Sequence, residues 1–287
     1  MLRCNAMRIV SPPPASPAPL IASLTAPSGP PWTRYVERAG AAVLAVPGRY
    51  CVTYLLVADE GVAVVDVGSR GDVPRILAAL RWLGRPADQV RFIIPTHLHF
   101  DHIIGIDALA AELRAPIALG EVAAEHVQQG RPLRWPSRRH LLRATVTWVF
   151  QGLPFPPRED VARGYGFGFG FPWATDRFAA PLAAVLCHGD ELPGLPGWVV
   201  LATPGHADDA ICLHHAAAGF LLTGDTIRNY LGGEWNPLLC DGADQARSRE
   251  LLLGLRPPVQ TIFPGHGPLV EGADALRRLK TLPFYLP

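Results

Sequence analysis

The sequence predicts an α/β domain. Short valine-rich runs alternate with stretches whose apolar residues recur at helical spacing, and several of the short runs stop at a glycine-bearing turn. The apolar content of 49 % is enough for a substantial core in a chain of 287 residues. That length exceeds the common ~100–200 residues of one domain, but a layered α/β domain reaches it without dividing.

The elements follow in order from residue 41. Strands are expected at 41–46, 51–58 and 62–67, separated by turns at Pro47-Gly48 and Asp59-Glu60-Gly61. A helix follows from Val73 to Leu83, because Val73, Ile76, Leu77, Leu80 and Leu83 share one face and Gly84 stops it. A strand at 90–95 feeds a histidine-rich run, and Gly105 to Leu113 reads as a helix. A short strand at 117–119 and a polar helix at 121–129 come next. Beyond residue 186 the pattern predicts strands at 198–202, 211–215 and 220–223, a helix at 244–255, a strand at 259–263 and a closing helix at 273–280.

Two stretches depart from this alternation. Residues 1–40 form an extension, expected to be partly extended or disordered, because prolines recur densely from Ser11 to Pro31. The run Ile21-Ala-Ser-Leu-Thr-Ala26 is too short and mixed for a signal-peptide core, and nothing approaches the ~20 apolar residues of a membrane helix. Residues 41–287 are then one domain with an aromatic-rich insert at about 130–186. Ten aromatic residues lie between Trp135 and Phe178, and in Tyr165-Gly-Phe-Gly-Phe-Gly-Phe-Pro-Trp173 they alternate with glycine, which disfavours a helix. Phe167, Phe169, Phe171 and Trp173, with Tyr230 further along, are candidates for a cover over a substrate; a dimer contact or an ordinary packed insertion is the alternative. Arg131, Arg134, Arg138, Arg139 and Arg143 precede the aromatic run and read as a solvated face or an anion site.

The chemistry is carried by seven residues. His97, His99, Asp101 and His102 fall in one run, Thr96-His-Leu-His-Phe-Asp-His102, and His206, Asp225 and His266 each follow a glycine at the end of a short apolar run. A strand stopping at a glycine turn can present one side chain at its carboxyl end without crowding. Residues two apart in extended chain project to one side, so His97 and His99 can share one ion. A turn into the following helix swings Asp101 and His102 toward a second. Imidazoles and carboxylates without a thiolate suit zinc best, with iron, manganese or nickel as other candidates. The expected complement is two Zn²⁺ per chain.

These motifs are similar to those of the metallo-β-lactamase-fold hydrolase superfamily. The resemblance rests on the His-x-His-x-Asp-His run, Thr203-Pro-Gly-His206, Gly224-Asp-Thr226, Pro264-Gly-His-Gly267 and the early strand Val64-Val-Asp-Val-Gly68, and covers about 41 to 280. It implies an αββα sandwich with metals at one edge of two facing sheets. It also implies that His97, His99 and His206 hold one metal, that Asp101, His102 and His266 hold the other, and that Asp225 bridges them. Asp66 is expected behind the ligands, hydrogen-bonded to a ligand histidine, or else capping the turn Val67-Gly-Ser-Arg70.

The expected activity is hydrolysis of an ester, thioester or lactone bond in a small molecule with an apolar part. Two adjacent cations supply hydroxide near neutral pH, while Asp101 and Asp225 are the catalytic carboxylates, Asp101 relaying a proton to the leaving group. A phosphodiesterase or phosphotriesterase is the alternative with the same site, and a mononuclear iron persulfide dioxygenase a second. Within the family, Asp225 stands where the main zinc β-lactamase group has cysteine. Ile103-Ile104 replaces the Gly-Gly common in acyl-homoserine lactonases, and the chain after His266 is too short for the helical domain of glyoxalase II-type enzymes. Asp208 and Asp209, in Ala207-Asp-Asp-Ala210, stand behind the ligands or at a strand entry. A formal charge of +1 argues against a nucleic-acid partner. A monomer or homodimer with no membrane partner is expected. Cys4, Cys51, Cys187, Cys212 and Cys240 have no paired spacing and read as free thiols in a cytoplasmic protein.

Overall fold

The structure, a computed structural model, describes residues 33–134, 158, 160 and 177–282. Its first sheet has seven strands in chain order: β1 (Arg34–Arg38), β2 (Ala41–Pro47), β3 (Val52–Ala58), β4 (Gly61–Val65), β5 (Val90–Ile94), β6 (Ile117–Gly120) and β7 (Leu182–Leu186). The first four pair antiparallel and the rest parallel. The second sheet is built from β8 (Trp198–Ala202), β9 (Ile211–His215) and β10 (Phe220–Gly224), continued past a small ribbon, β11 (Ile227–Arg228) and β12 (Glu234–Trp235), by β13 (Thr261–Pro264) and β14 (Val270–Glu271). Its order is β14-β13-β10-β9-β8, with only β10 and β13 parallel.

The period of two along each strand builds the layers. In β2, Val43 and Ala45 face the second sheet, whereas Ala42, Leu44 and Val46 face a helical layer. β3 and β4 divide in the same way, Tyr54, Leu56, Ala63 and Val65 inward, and Leu55, Val57, Val62 and Val64 outward. Burial on both faces explains why these strands read as continuous apolar runs. The outer layer on this side contains α1 (Val73–Trp82), α3 (Ile106–Leu113) and α4 (Glu121–Gln129), the last two preceded by a single turn, α2 (Phe100–Ile103). Leu252 of α5 (Gly242–Leu253), with Ala275 and Leu276, covers the outer face of the second sheet. The result is the expected αββα order.

Several boundaries move, each for a physical reason. The expected extension, 1–40, loses its last residues to β1, a half-exposed edge strand whose Arg34, Glu37 and Arg38 hide its pairing with β2. The expected insert, to about 186, likewise loses β7, which pairs with β6. The closing helix shrinks to a 3₁₀ turn at Ala275–Arg278, because Asp274 before it takes a left-handed backbone with φ 51°. The last long helix starts at Gly242, not 244, since the Asp241 side chain caps it by accepting from the Asp244 amide at 2.9 Å. Cys51, Cys212 and Cys240 are free, but Cys187 is disulfide-bonded, so the expectation of free thiols fails there. Among the described residues no helix is long and apolar enough to cross a membrane.

The layer between the sheets sets how the strand ends meet. Trp198 is fully buried there, against Phe220 and the His215 ring. Replacing it by alanine should cost about 3–5 kcal/mol, the usual range for an emptied aromatic site. Urea unfolding of Trp198→Ala measures this, and a loss under about 1 kcal/mol would show that the two sheets do not depend on that contact.

Candidate metal centre

Five strand ends converge at one edge of the sandwich. β4 ends at Asp66, β5 runs into Thr96–His102, β8 into Thr203–His206, β10 into Asp225 and β13 into Gly265-His266. The sheets are stitched together here, because the Ile211 amide donates to Thr96 O at 2.9 Å. The short helix α2 begins inside the histidine run and carries Asp101 and His102 away from the extended His97 and His99. Glycine is required at two approaches. A Cβ on Gly265 would lie 2.6 Å from Asp225 Oδ1 and 2.7 Å from His102 Cε1, and one on Gly224, where φ is 47°, would lie 2.3 Å from Thr96 Oγ1.

All seven expected ligands come together. His97 Nε2 and His206 Nε2 each lie 3.0 Å from His99 Nδ1. His266 Nε2 lies 3.3 Å from Asp101 Oδ2 and 3.3 Å from Asp225 Oδ1, which is 3.2 Å from His102 Nε2. The other oxygen of Asp225, Oδ2, faces His206 Nε2 at 3.5 Å. One carboxylate therefore addresses two separate trios, His97/His99/His206 and Asp101/His102/His266. In each trio the ligand atoms fit within 4.8 Å of one another.

Whether these residues fit metal ions is decided by the packing. A tetrahedral centre with bonds of about 2.0–2.1 Å has ligand-to-ligand edges of about 3.3 Å, close to the 3.0 Å of His97–His99 and His206–His99 and the 3.3 Å of Asp101–His266. His102 Nε2 and Asp225 Oδ1 are buried 3.2 Å apart without a well-formed hydrogen bond, a costly arrangement unless a proton or a cation lies between them. The outer nitrogens are spoken for. His206 Nδ1 meets Leu238 O at 2.6 Å, and His102 Nδ1 meets Asp66 Oδ2 at 2.9 Å. His97 Nδ1 meets Thr96 Oγ1 at 3.1 Å, and that hydroxyl donates to Asp66 Oδ2 at 2.9 Å. Hydrogens on these outer atoms leave the inner nitrogens free as ligands. The set fits divalent metal ions.

Asp66 thus braces His102, a candidate ligand, and the turn after it is capped by Ser69 instead, which accepts from the Gly71 amide. Asp66 also accepts from the Thr96 amide at 2.7 Å and holds a left-handed backbone, φ 59°. Asp209 accepts from the Leu98 amide at 2.8 Å, between two ligand histidines, whereas Asp208 pairs with Arg134. Arg134 also pairs with Asp241 and Asp244, and Arg131 with Glu125, so these two arginines answer acids of the same chain. Tyr230 lies beside the centre, its ring stacked on His266 with centroids 6.0 Å apart and planes at 26°. Phe167, Phe169, Phe171 and Trp173 lie outside the described residues, as do Arg138, Arg139 and Arg143. Sequence reasoning missed Tyr54, whose hydroxyl donates to Pro264 O at 2.6 Å, and Asn236, whose amide donates to Asp225 O at 2.7 Å. Neither sits in a spacing pattern that could have marked it.

Charge divides the histidines. Burial, with neighbouring imidazoles, pushes His97 far below the ordinary value of 6.5 and His99 to about 3, and burial also lowers His206. Burial opposes a charge on His102 too, but Asp66 and Asp225 outweigh it and raise that group to about 10. Asp225 and Asp101 overcome burial at His266 in the same way. The paired imidazoles in turn hold Asp101 at about 2 against its burial. In the metal-free protein, His97, His99 and His206 stabilise the fold above the unfolded value of 6.5 and lose that contribution as pH falls. His102 and His266 stabilise it below 6.5 and lose that contribution as pH rises, for His102 through about 10. Stability of the metal-free chain should therefore peak near pH 6.5. Urea midpoints between about pH 5 and about pH 9 measure it, and a midpoint rising steadily across that range would contradict this charge pattern.

Comparison with known proteins agrees with this architecture. The family model of the metallo-beta-lactamase superfamily matches residues 46–266, spanning all seven candidate ligands. A curated relative, the probable metallo-hydrolase YqjP of Bacillus subtilis (strain 168), is 26 % identical over 241 residues, covering 78 % of this chain and 70 % of its own. Among solved structures, the metallo-beta-lactamase family protein TTHA1429 of Thermus thermophilus superposes with a TM-score of 0.55 at 24 % identity, covering 83 % of this chain and 76 % of its own. TTHA1623, solved in a di-iron-bound form, superposes with a TM-score of 0.51 at 23 % identity, covering 84 % of this chain and 98 % of its own. With the model match extending over most of its length, this chain belongs to the metallo-beta-lactamase superfamily.

Proposed function

We propose that this metallo-hydrolase cleaves an ester, thioester or lactone bond in a small molecule with an apolar part, through a pair of metal ions held by His97, His99, Asp101, His102, His206, Asp225 and His266. The observation that carries the reading is the division of the Asp225 oxygens between two complete trios. When bound, such a pair acidifies water and polarises a carbonyl oxygen near neutral pH.

The chain's own residues do the rest. Asp225 holds both halves of the site at a set separation. Asp101, 13 % exposed at its side chain, keeps more solvent contact than Asp66 or Asp225, so it can pass a proton toward a leaving group. Tyr230, 36 % exposed and stacked on His266, places aromatic surface beside the centre, which favours a substrate with an apolar part over a small polar one.

Metal analysis of the purified protein, followed by assay of lactones, thioesters, aryl esters and phosphodiesters, tests this reading. Two ions per chain are expected, zinc first, and TTHA1623 in its di-iron-bound form makes iron the second metal to measure. One iron per chain without hydrolysis of any of these would move the assignment to an oxygenase, and turnover confined to phosphodiesters would move it to phosphoryl transfer. Asp225→Ala should lower kcat/KM on the best substrate on the order of 10³-fold and loosen both ions. Full activity with two retained ions would remove Asp225 from its assigned place.

A further inference from the structure

We propose that Asn236 is a positioning residue that ties the two halves of the metal centre together, setting His206 on one side and the backbone of Asp225 on the other. This rests on the reading of those residues as metal ligands.

The side chain is buried and sits just after β12, where the chain comes back toward the strand end of β10. Its Nδ2 donates to Asp225 O at 2.7 Å, and its Oδ1 accepts from the Leu238 amide at 3.0 Å. Leu238 O in turn faces His206 Nδ1 at 2.6 Å. The Asn236 amide also donates to Thr226 O at 3.2 Å, so the residue is held by its backbone while its side chain holds others. Exchanging the two ends of the side-chain amide would set an oxygen against Asp225 O and an NH₂ against the Leu238 N–H, two repulsive contacts, so its orientation is determined.

Within this arrangement Asn236 Nδ2 lies 3.2 Å from His206 Nδ1, so the amide packs against the imidazole edge. Only Leu238 O, of these two neighbours, can accept a hydrogen from Nδ1. That bond leaves the Nε2 lone pair pointing inward, toward His99 Nδ1 and Asp225 Oδ2. One amide thus controls three things: where the Asp225 backbone sits, where the Leu238 carbonyl points, and which nitrogen of His206 is a ligand. No aspect of this requires substrate contact.

The test uses cobalt titration of the metal-free protein, followed by visible absorption, for the wild type, Asn236→Ala and Asn236→Asp. Wild type should take up two cobalt ions. Asn236→Ala should weaken the ion in the His97/His99/His206 trio about 10–100-fold, the usual effect of losing a partner behind a ligand, and leave the other ion closer to normal. Its cobalt spectrum should shift, since the ligand geometry changes. Asn236→Asp keeps an acceptor for the Leu238 amide but sets an oxygen against Asp225 O in place of the donor, so a loss of affinity is expected here too. It also serves if the alanine variant does not fold. An imidazole NMR spectrum of the metal-free wild type should show a hydrogen on His206 Nδ1, which the alanine variant loses or exchanges faster. Wild-type affinity and spectrum in both variants would overturn the proposal. A wild-type protein taking up no cobalt would instead overturn the metal reading on which it rests.

Discussion

The structure depends on holding nitrogens and oxygens with inward-facing lone pairs about 3.0–3.5 Å apart in a buried place. Nitrogens and oxygens so arranged repel one another unless protons or cations are shared among them. No single segment can impose this. The two sheets do it together, because each strand end is already fixed by a hydrophobic layer before its last residues turn into the site. Trp198, Phe220 and Phe263 in the layer between the sheets thus act at a distance on residues they do not touch.

Behind the ligands stands a second ring of partners, most of them uncharged. The carboxylate of Asp66 reaches His102 directly and His97 through Thr96. Leu238 O holds His206, and Tyr54 holds the Pro264 carbonyl two residues before His266. Asp209 holds the peptide between His97 and His99. Each fixes either a ring orientation or a backbone position, so the inner atoms are aimed before any ion arrives. The left-handed backbone at Asp66 is part of this, since it brings that carboxylate under the histidine run.

The charge pattern has the same logic. Three carboxylates, Asp66, Asp101 and Asp225, are concentrated around five imidazoles, and in the absence of metal the balance is kept by protons on His102 and His266. The imidazoles of the other trio stay neutral because they are buried and face each other. The two trios are therefore unlike, one of three neutral imidazoles, the other a carboxylate with two protonated imidazoles. Ions entering them meet different fields, and Asp225 is the group that both experience.

The seven candidate ligands were legible in the sequence because histidine and aspartate after glycine, at strand ends, form a recurring local pattern. The core strands were legible for the same local reason: Val62 to Val65 is apolar at every position because both faces are covered. The edge strand β1 was not, since its charged residues make sense only beside β2. Tyr54, Asn236 and Leu238 were not either, because Tyr54 reaches Pro264 across 210 residues, while Asn236 and Leu238 act through backbone carbonyls that leave no spacing in the chain. Sequence by itself determined which side chains are the candidates for the chemistry, since that depends on residue type and local turn. Tertiary structure alone decided that the Asp225 oxygens divide between two trios and which nitrogen of each histidine turns inward, because those depend on partners brought together only when the two sheets close.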